Sequence, residues 1–360
     1  MTPVYCIGNG VVTPLGNTPE DVFRAVRQGR TALSLHAGFP EPFYASMFGR
    51  DWDCVGEGVL FDQIVREAAS AAVKEASIDA SSPRTGLVLS TIKGNVEVID
   101  KADVSLAVQA RRLANALGVT TQPVVVSNAC ISGLAALVQG MRMIQSGQFD
   151  HVIVAGAEVQ SRFIVTGFQS LKALSLSACK PFDAARDGLN LGEAAAAMVL
   201  SREESRWQLV SGCIRNDANH ISGPSRTGEG SYNALRYVLQ DADLDDVAFV
   251  NVHGTATRYN DEMEAIALGR AGLQNLPVNA LKGTFGHTMG AAGILESILS
   301  MQALKAGVVL PTKGFETLGV SVPVNVSAKE RPAKGNSFVK LLSGFGGVNG
   351  ALLFKKGGAQ

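Results

Sequence analysis

Two segments of this chain repeat one pattern of small residues. Cys130-Ile131-Ser132-Gly133-Leu134-Ala135-Ala136 and His287-Thr288-Met289-Gly290-Ala291-Ala292-Gly293 superimpose: a reactive side chain, a glycine three positions on, then a pair of small residues. Each segment opens a small-residue helical pattern of similar length. Helices lined with glycine and alanine can pack tightly against each other or between sheets. They would then present Cys130 and His287 from their N-termini toward one cleft. So short a repeat arises easily by chance, and its weight lies in this packing consequence.

The surroundings of Cys130 sharpen the point. A β-branched run, Val124-Val125-Val126, leads into Ser127-Asn128-Ala129-Cys130. The order reads as strand, tight turn, helix, with the thiol near the helix start. Unpaired N–H groups and the helix dipole there favour negative charge, so the expectation is a thiolate that forms readily. Most free cysteines are simply buried hydrophobes. Cys6, Cys54, Cys179 and Cys213 lack the elbow setting and are read that way.

Along the chain, short apolar runs alternate with helical periodicity. Strands are expected at 4–7 with 11–12, at 85–91, 124–126, 151–155 and 194–200, with helices at 19–28, 61–76 and 107–117 and another ending near Gly147. This alternation implies α/β layering with largely parallel strands. The polar stretch 201–206 is the expected boundary between halves, 1–205 and 206–360. Beyond it come strands at 207–214, 248–252 and 322–326. Helices are expected at 230–239 and 261–268, then a long one opened by 287–293 and running to Lys305. A glycine-rich loop and strand over 338–350 close the chain.

Two further loops carry chemistry. Asn251-Val252-His253-Gly254-Thr255-Ala256-Thr257 follows a strand, and a lone loop histidine is more often structural. Here the bare backbone and the Thr255 and Thr257 hydroxyls suit the amides of an extended ligand arm. Lys282-Gly283-Thr284-Phe285-Gly286-His287 is expected to end a strand and precede a helix, a position that keeps His287 neutral. Glu296 lies within the apolar helix pattern of Ile294, Leu295, Ile298 and Leu299, where a carboxylate needs a partner. Lys282 is the obvious one.

One cysteine and two histidines without metal-type spacing make a poor zinc site. They suit covalent acyl chemistry: attack of a thiolate on a thioester, then stabilisation of an enolate by two donors. Composition narrows the field further. Among 360 residues, apolar content of 46% against 18% charged implies extensive burial, and a net charge of zero makes no case for nucleic acid or an anionic membrane. Five widely spaced cysteines without a C-x-x-C argue against a disulfide scaffold and for a reduced, cytoplasmic setting. No apolar run is long enough to span a bilayer, and the N-terminus does not read as a secretory signal.

Taken in order, these motifs resemble the β-ketoacyl-[acyl carrier protein] synthases, condensing enzymes of the thiolase-like fold. Also matching are Gly8-Asn9-Gly10-Val11-Val12-Thr13-Pro14-Leu15-Gly16, Pro181-Phe182-Asp183, Arg186-Asp187-Gly188, Gly192-Glu193 and Gly344-Phe345-Gly346-Gly347-Val348-Asn349. The two-histidine pattern is similar to the elongating class. The resemblance implies two duplicated halves in a five-layered αβαβα sandwich. It implies Cys130 as acyl acceptor, His253 and His287 for malonyl decarboxylation, and backbone N–H groups of Cys130 and Phe345 as oxyanion hole. Lys282 and Glu296 would order the site, Thr255 and Thr257 would line the phosphopantetheine tunnel, and Phe345 would gate it. Phe168 and Ile92 would border the acyl pocket. No resident cofactor or metal is implied, since phosphopantetheine arrives on the acyl carrier protein. The implied partners are that carrier and a second subunit, identical or related.

The chain departs from the family pattern at Ile131, at Val348 and at Ser343, which stands where many members carry a second phenylalanine. A smaller residue there implies a wider acyl pocket and an unusual substrate such as a polyene or aryl chain. Two alternatives stay open: a thiolase-fold acyltransferase without elongation, and a non-catalytic partner subunit resembling chain-length factors. The latter usually lack the nucleophilic cysteine.

Overall fold

A computed structural model describes residues 2–37, 41–49, 59–99 and 103–357; Cys54 lies outside them. The first half runs β1 (Tyr5–Val12), α1 (Pro19–Arg27), β2 (Leu33–His36), β3 (Phe43–Ser46), α2 (Val59–Ala76), β4 (Thr85–Ser90) and α3 (Leu106–Leu117). It continues through β5 (Val124–Val126), α4 (Ser132–Gln145), β6 (His151–Glu158), α5 (Arg162–Ser170), β7 (Leu191–Gly192) and β8 (Ala194–Ser201). The second half has β9 (Trp207–Asn216), α6 (Glu229–Leu239), β10 (Val247–Asn251), α7 (Arg258–Arg270), β11 (Pro277–Asn279), α8 (Lys282–Phe285) and α9 (Ala292–Lys305). It ends with the short strands β12 (Val308–Val309), β13 (Asn325–Val326) and β14 (Arg331–Pro332), then β15 (Ser337–Gly344) and β16 (Val348–Lys356).

The duplication is explicit in the strand order. β1-β8-β6-β4-β5 and β9-β16-β15-β10-β11 follow the same sequence, each with two antiparallel contacts and then two parallel ones. The sets join where Tyr5 and Cys6 pair with Gln208 and Trp207, and β13 extends the far edge. Residues 202–206 lie between the two sets. Both faces of the inner strands are covered, which explains the all-buried alanine run of β8.

Apolar clusters mark the layers. One central core gathers α4 and α9 with strands of both halves, including Leu134, Ile294, Val154 and Leu352. A second core lies between the first sheet and α2 and α3, and a third between the second sheet and α6 and α7. The order is helix, sheet, helix pair, sheet, helix: the five-layered sandwich. No described helix is long and apolar enough to cross a membrane.

The central helices meet at their glycines. A Cβ on Gly133 would stand 2.8 Å from the Gly290 carbonyl oxygen and 3.2 Å from the Gly293 nitrogen, and one on Gly293 would strike the backbone of Leu134. Only glycine permits this approach, and it sets the two helix starts side by side.

Three local expectations are corrected. The segment after β11 forms the short helix α8 over Lys282–Phe285, where a strand end had been expected. The strand expected over 322–326 is reduced to Asn325–Val326. The closing segment is a hairpin, with Gly344 pairing to Val348 across the glycine turn. The hairpin β2–β3 and the helix α5 carry weak periodicity and were not expected.

Candidate active site

The turn before Cys130 is held in a conformation that favours glycine, although Ala129 occupies it at φ 46°. Ser132 locks it: its hydroxyl donates to the Ala129 carbonyl at 2.6 Å and accepts from the Asn128 N–H at 2.8 Å. Gly344 lets the closing hairpin approach, since a Cβ there would lie 3.1 Å from the Cys130 nitrogen.

Cys130, His253 and His287 converge. Their ligand atoms all lie within 4.8 Å of one another, and the two imidazoles meet edge-on with ring centroids 4.9 Å apart at 81°. All three residues are buried. The expected ease of thiolate formation is corrected by that burial. Desolvation pushes the Cys130 thiol up to about 11, outweighing the charge of Lys282 and the N–H groups of Phe345 and of Cys130 itself. The helix starts only at Ser132, and the thiol is protonated at rest near neutrality.

Both imidazoles lie well below the usual histidine range, through burial first and then the positive charge of Lys282 and Lys340. They are neutral. The Met289 N–H donates to Nδ1 of His287 at 3.2 Å, so Nε2 carries the ring hydrogen. Nε2 of His287 and Nδ1 of His253 are buried without a partner among the described residues. A hydrogen-bearing Nε2 beside two lysines is suited to an oxyanion and ill suited to a metal ion, although the three residue types are ligands.

His253 is held by its own backbone. Glu264, on α7, accepts the N–H groups of His253 and Gly254 at 2.7 Å each. Burial and the neighbouring Asp261 raise the Glu264 carboxyl above its ordinary value. The Thr255 and Thr257 hydroxyls are 2.9 Å apart.

Lys282 and Glu296 pair as the sequence led one to expect, Nζ to Oε1 at 2.8 Å, both buried. Sequence reasoning missed the third member. Lys340 on β15 is fully buried and donates to the other Glu296 oxygen at 2.5 Å. Burial drives the Glu296 carboxyl up, yet the two ammonium groups outweigh it and hold it below the usual range. The signal was available: Lys340 interrupts the apolar run Phe338-Val339-Lys340-Leu341-Leu342, as Glu296 interrupts its helix.

Phe345 stacks on Phe168 with centroids 5.9 Å apart at 25°. Phe168 and Ile92 belong to a separate apolar cluster with Phe43, Leu191 and Met289, which flanks His287. Ser343 turns the other way. Its hydroxyl donates to Asn349 Oδ1 at 2.9 Å and lies 3.1 Å from that of Ser231 on α6. Alternation along β15 sends Gly344 toward Cys130 and Ser343 to the opposite face, against Ser231 and Asn349.

Family comparison agrees with this geometry. Residues 61–206 match the β-ketoacyl synthase N-terminal domain and residues 208–316 its C-terminal domain. The chain belongs to the β-ketoacyl synthase family. A Schizosaccharomyces pombe protein described as a mitochondrial 3-oxoacyl-[acyl-carrier-protein] synthase is 30% identical over 99% of each chain. The Vibrio cholerae 3-oxoacyl-[acyl-carrier-protein] synthase 2 is 29% identical over 98% of this chain and 99% of its own. Among solved structures, a β-ketoacyl synthase from Burkholderia phymatum aligns with TM-score 0.86 and 25% identity over 99% of this chain and 100% of its own. The ketosynthase ApeO of Xenorhabdus doucetiae, solved with its chain length factor ApeC, shares the fold with TM-score 0.87 and 24% identity, covering 99% and 98% of the two chains.

Proposed function

We infer that this chain catalyses the decarboxylating Claisen condensation of an acyl thioester with malonyl-acyl carrier protein, giving a β-ketoacyl-acyl carrier protein in fatty acid or polyketide synthesis. The observation that carries the reading is the convergence of Cys130, His253 and His287 within 4.8 Å. In the first step the Cys130 sulfur bonds to the thioester carbon, and the carrier thiol leaves. The proton lost by Cys130 passes to that departing thiolate. In the second step malonyl-carrier loses carbon dioxide, and the hydrogen-bearing Nε2 of His287, with His253, holds the enolate oxygen. The enolate carbon then attacks the acyl-cysteine. N–H groups of Cys130 and Phe345 hold the oxyanion, and the cysteine sulfur departs.

Thr255 and Thr257 are assigned to the phosphopantetheine arm, Phe345 to the gate, and Phe168 and Ile92 to the acyl pocket; the Phe345–Phe168 stack supports a gate linked to the pocket. No resident metal or cofactor belongs to this reading. Its partners are an acyl carrier protein and a second synthase subunit, the latter supported by the ApeO–ApeC likeness. The free thiols of Cys6, Cys130, Cys179 and Cys213 support a reducing, cytoplasmic setting. The nucleophile argues against a non-catalytic subunit.

The decisive measurement is intact mass after incubation with a panel of acyl-carrier thioesters. Wild type gains the acyl mass and Cys130→Ala does not. A persistent adduct on Cys130→Ala refutes the nucleophile. Acylation without a β-keto product on adding malonyl-carrier favours the acyltransferase alternative.

A further inference from the structure

Lys340 has no part in the reaction just described, yet its charge is built into the site. It sits on β15 in register with Asn251 of β10, with none of its surface exposed. Its ammonium donates to Glu296 Oε2 at 2.5 Å and to the Val252 carbonyl at 3.2 Å. Val252 is the residue immediately before His253. Glu264, which holds the His253 and Gly254 N–H groups, also attracts this ammonium. One carbonyl and one carboxylate oxygen thus hold a side-chain cation, with a second carboxylate attracting it from farther off. A lysine buried in an apolar strand persists only where such groups meet its charge.

We propose that Lys340 is a positioning residue acting as a tethered cation, which locks Glu296 and the carbonyl in front of His253, and that its removal opens a site for a free monovalent cation. An ammonium ion fits the same oxygens, and potassium is close to it in size. The charged and titratable groups facing this position are Lys282 from α8, Glu296 from α9, Glu264 from α7, and the imidazoles of His253 and His287. The Lys340 charge helps hold both imidazoles neutral. Its loss therefore moves the acid limb of the condensation profile to higher pH.

The inference rests on the condensing-enzyme reading, so wild-type condensation is measured first. Lys340→Ala is expected to lower condensation kcat about tenfold or more while sparing acylation of Cys130, because a displaced imidazole acts only on the second step. Ammonium or potassium chloride then restores kcat at matched ionic strength, and choline chloride, too large for the site, does not. Lys340→Met, which fills the space without charge, loses activity without rescue. Wild-type kcat and an unmoved acid limb in Lys340→Met overturn the proposal, as does a Lys340→Ala loss that no small cation relieves. If Lys340→Ala does not fold, Lys340→Met decides alone. Thermal unfolding separates this from the activity reading. Ammonium raising the Tm of Lys340→Ala above its value in choline, with no such difference in wild type, supports the cation site even if wild type fails to condense. Equal Tm values in the two salts count against it.

Discussion

Cys130 is a protonated thiol at rest because burial outweighs every favourable charge near it. A raised folded value means that the reactive thiolate gains population only as pH climbs toward about 11. Alkylation of Cys130 by iodoacetamide in the free enzyme is therefore expected to accelerate throughout the alkaline range, later than for an exposed cysteine at about 8.5. A rate that levels off near neutrality contradicts this. The histidines divide the work at the same scale. His287→Ala is expected to leave acylation of Cys130 intact and to depress malonyl decarboxylation by about 100-fold or more, the cost of losing one oxyanion donor. Equal loss of both steps would refute separate roles. Cys130, His253, His287, Lys282 and Glu296 were legible in the sequence because each is an odd residue in a distinctive local pattern. Lys340 and Glu264 were not singled out, for their roles exist only through partners in other elements.

At the scale of elements, the site depends on two helix starts touching through glycine. A methyl group at Gly133 would press on the Gly290 carbonyl and the Gly293 nitrogen, neither of which can yield without moving α9. Gly133→Ala is expected to cost about 1–3 kcal/mol of stability through overpacking. It should also lower activity beyond what that loss explains, since α4 and α9 carry Cys130 and His287 at their starts. Denaturant unfolding beside single-turnover condensation checks both. Unchanged stability would show that the helices have room to spare. The long strongly patterned elements were readable from periodicity, α2, α4, α9, β6 and β8 among them. The paired strands β2 and β3 and helix α5 were not, because their sequences are short and their apolar residues find partners only in the shared cluster of Phe43, Phe168, Leu191 and Met289.

For the whole molecule, the strand sets β1-β8-β6-β4-β5 and β9-β16-β15-β10-β11 repeat one order, and the two halves they define share one central core. Neither helix of the middle layer keeps its burial if the other half leaves. Calorimetry of the intact chain is expected to show one cooperative transition, with calorimetric and van't Hoff enthalpies in agreement. Two resolved transitions would mean that the halves are thermodynamically independent. The sequence by itself determined the layered α/β class, the duplicated signature around Cys130 and His287, and the identity of the principal reactive groups. These follow from local patterns of size, polarity and glycine. Only the tertiary structure decided the protonation of Cys130, the tautomer of His287, the facing of Ser343 and the part played by Lys340. Each of these depends on how deeply a group is buried and which distant oxygen or N–H it meets, and no local pattern carries that.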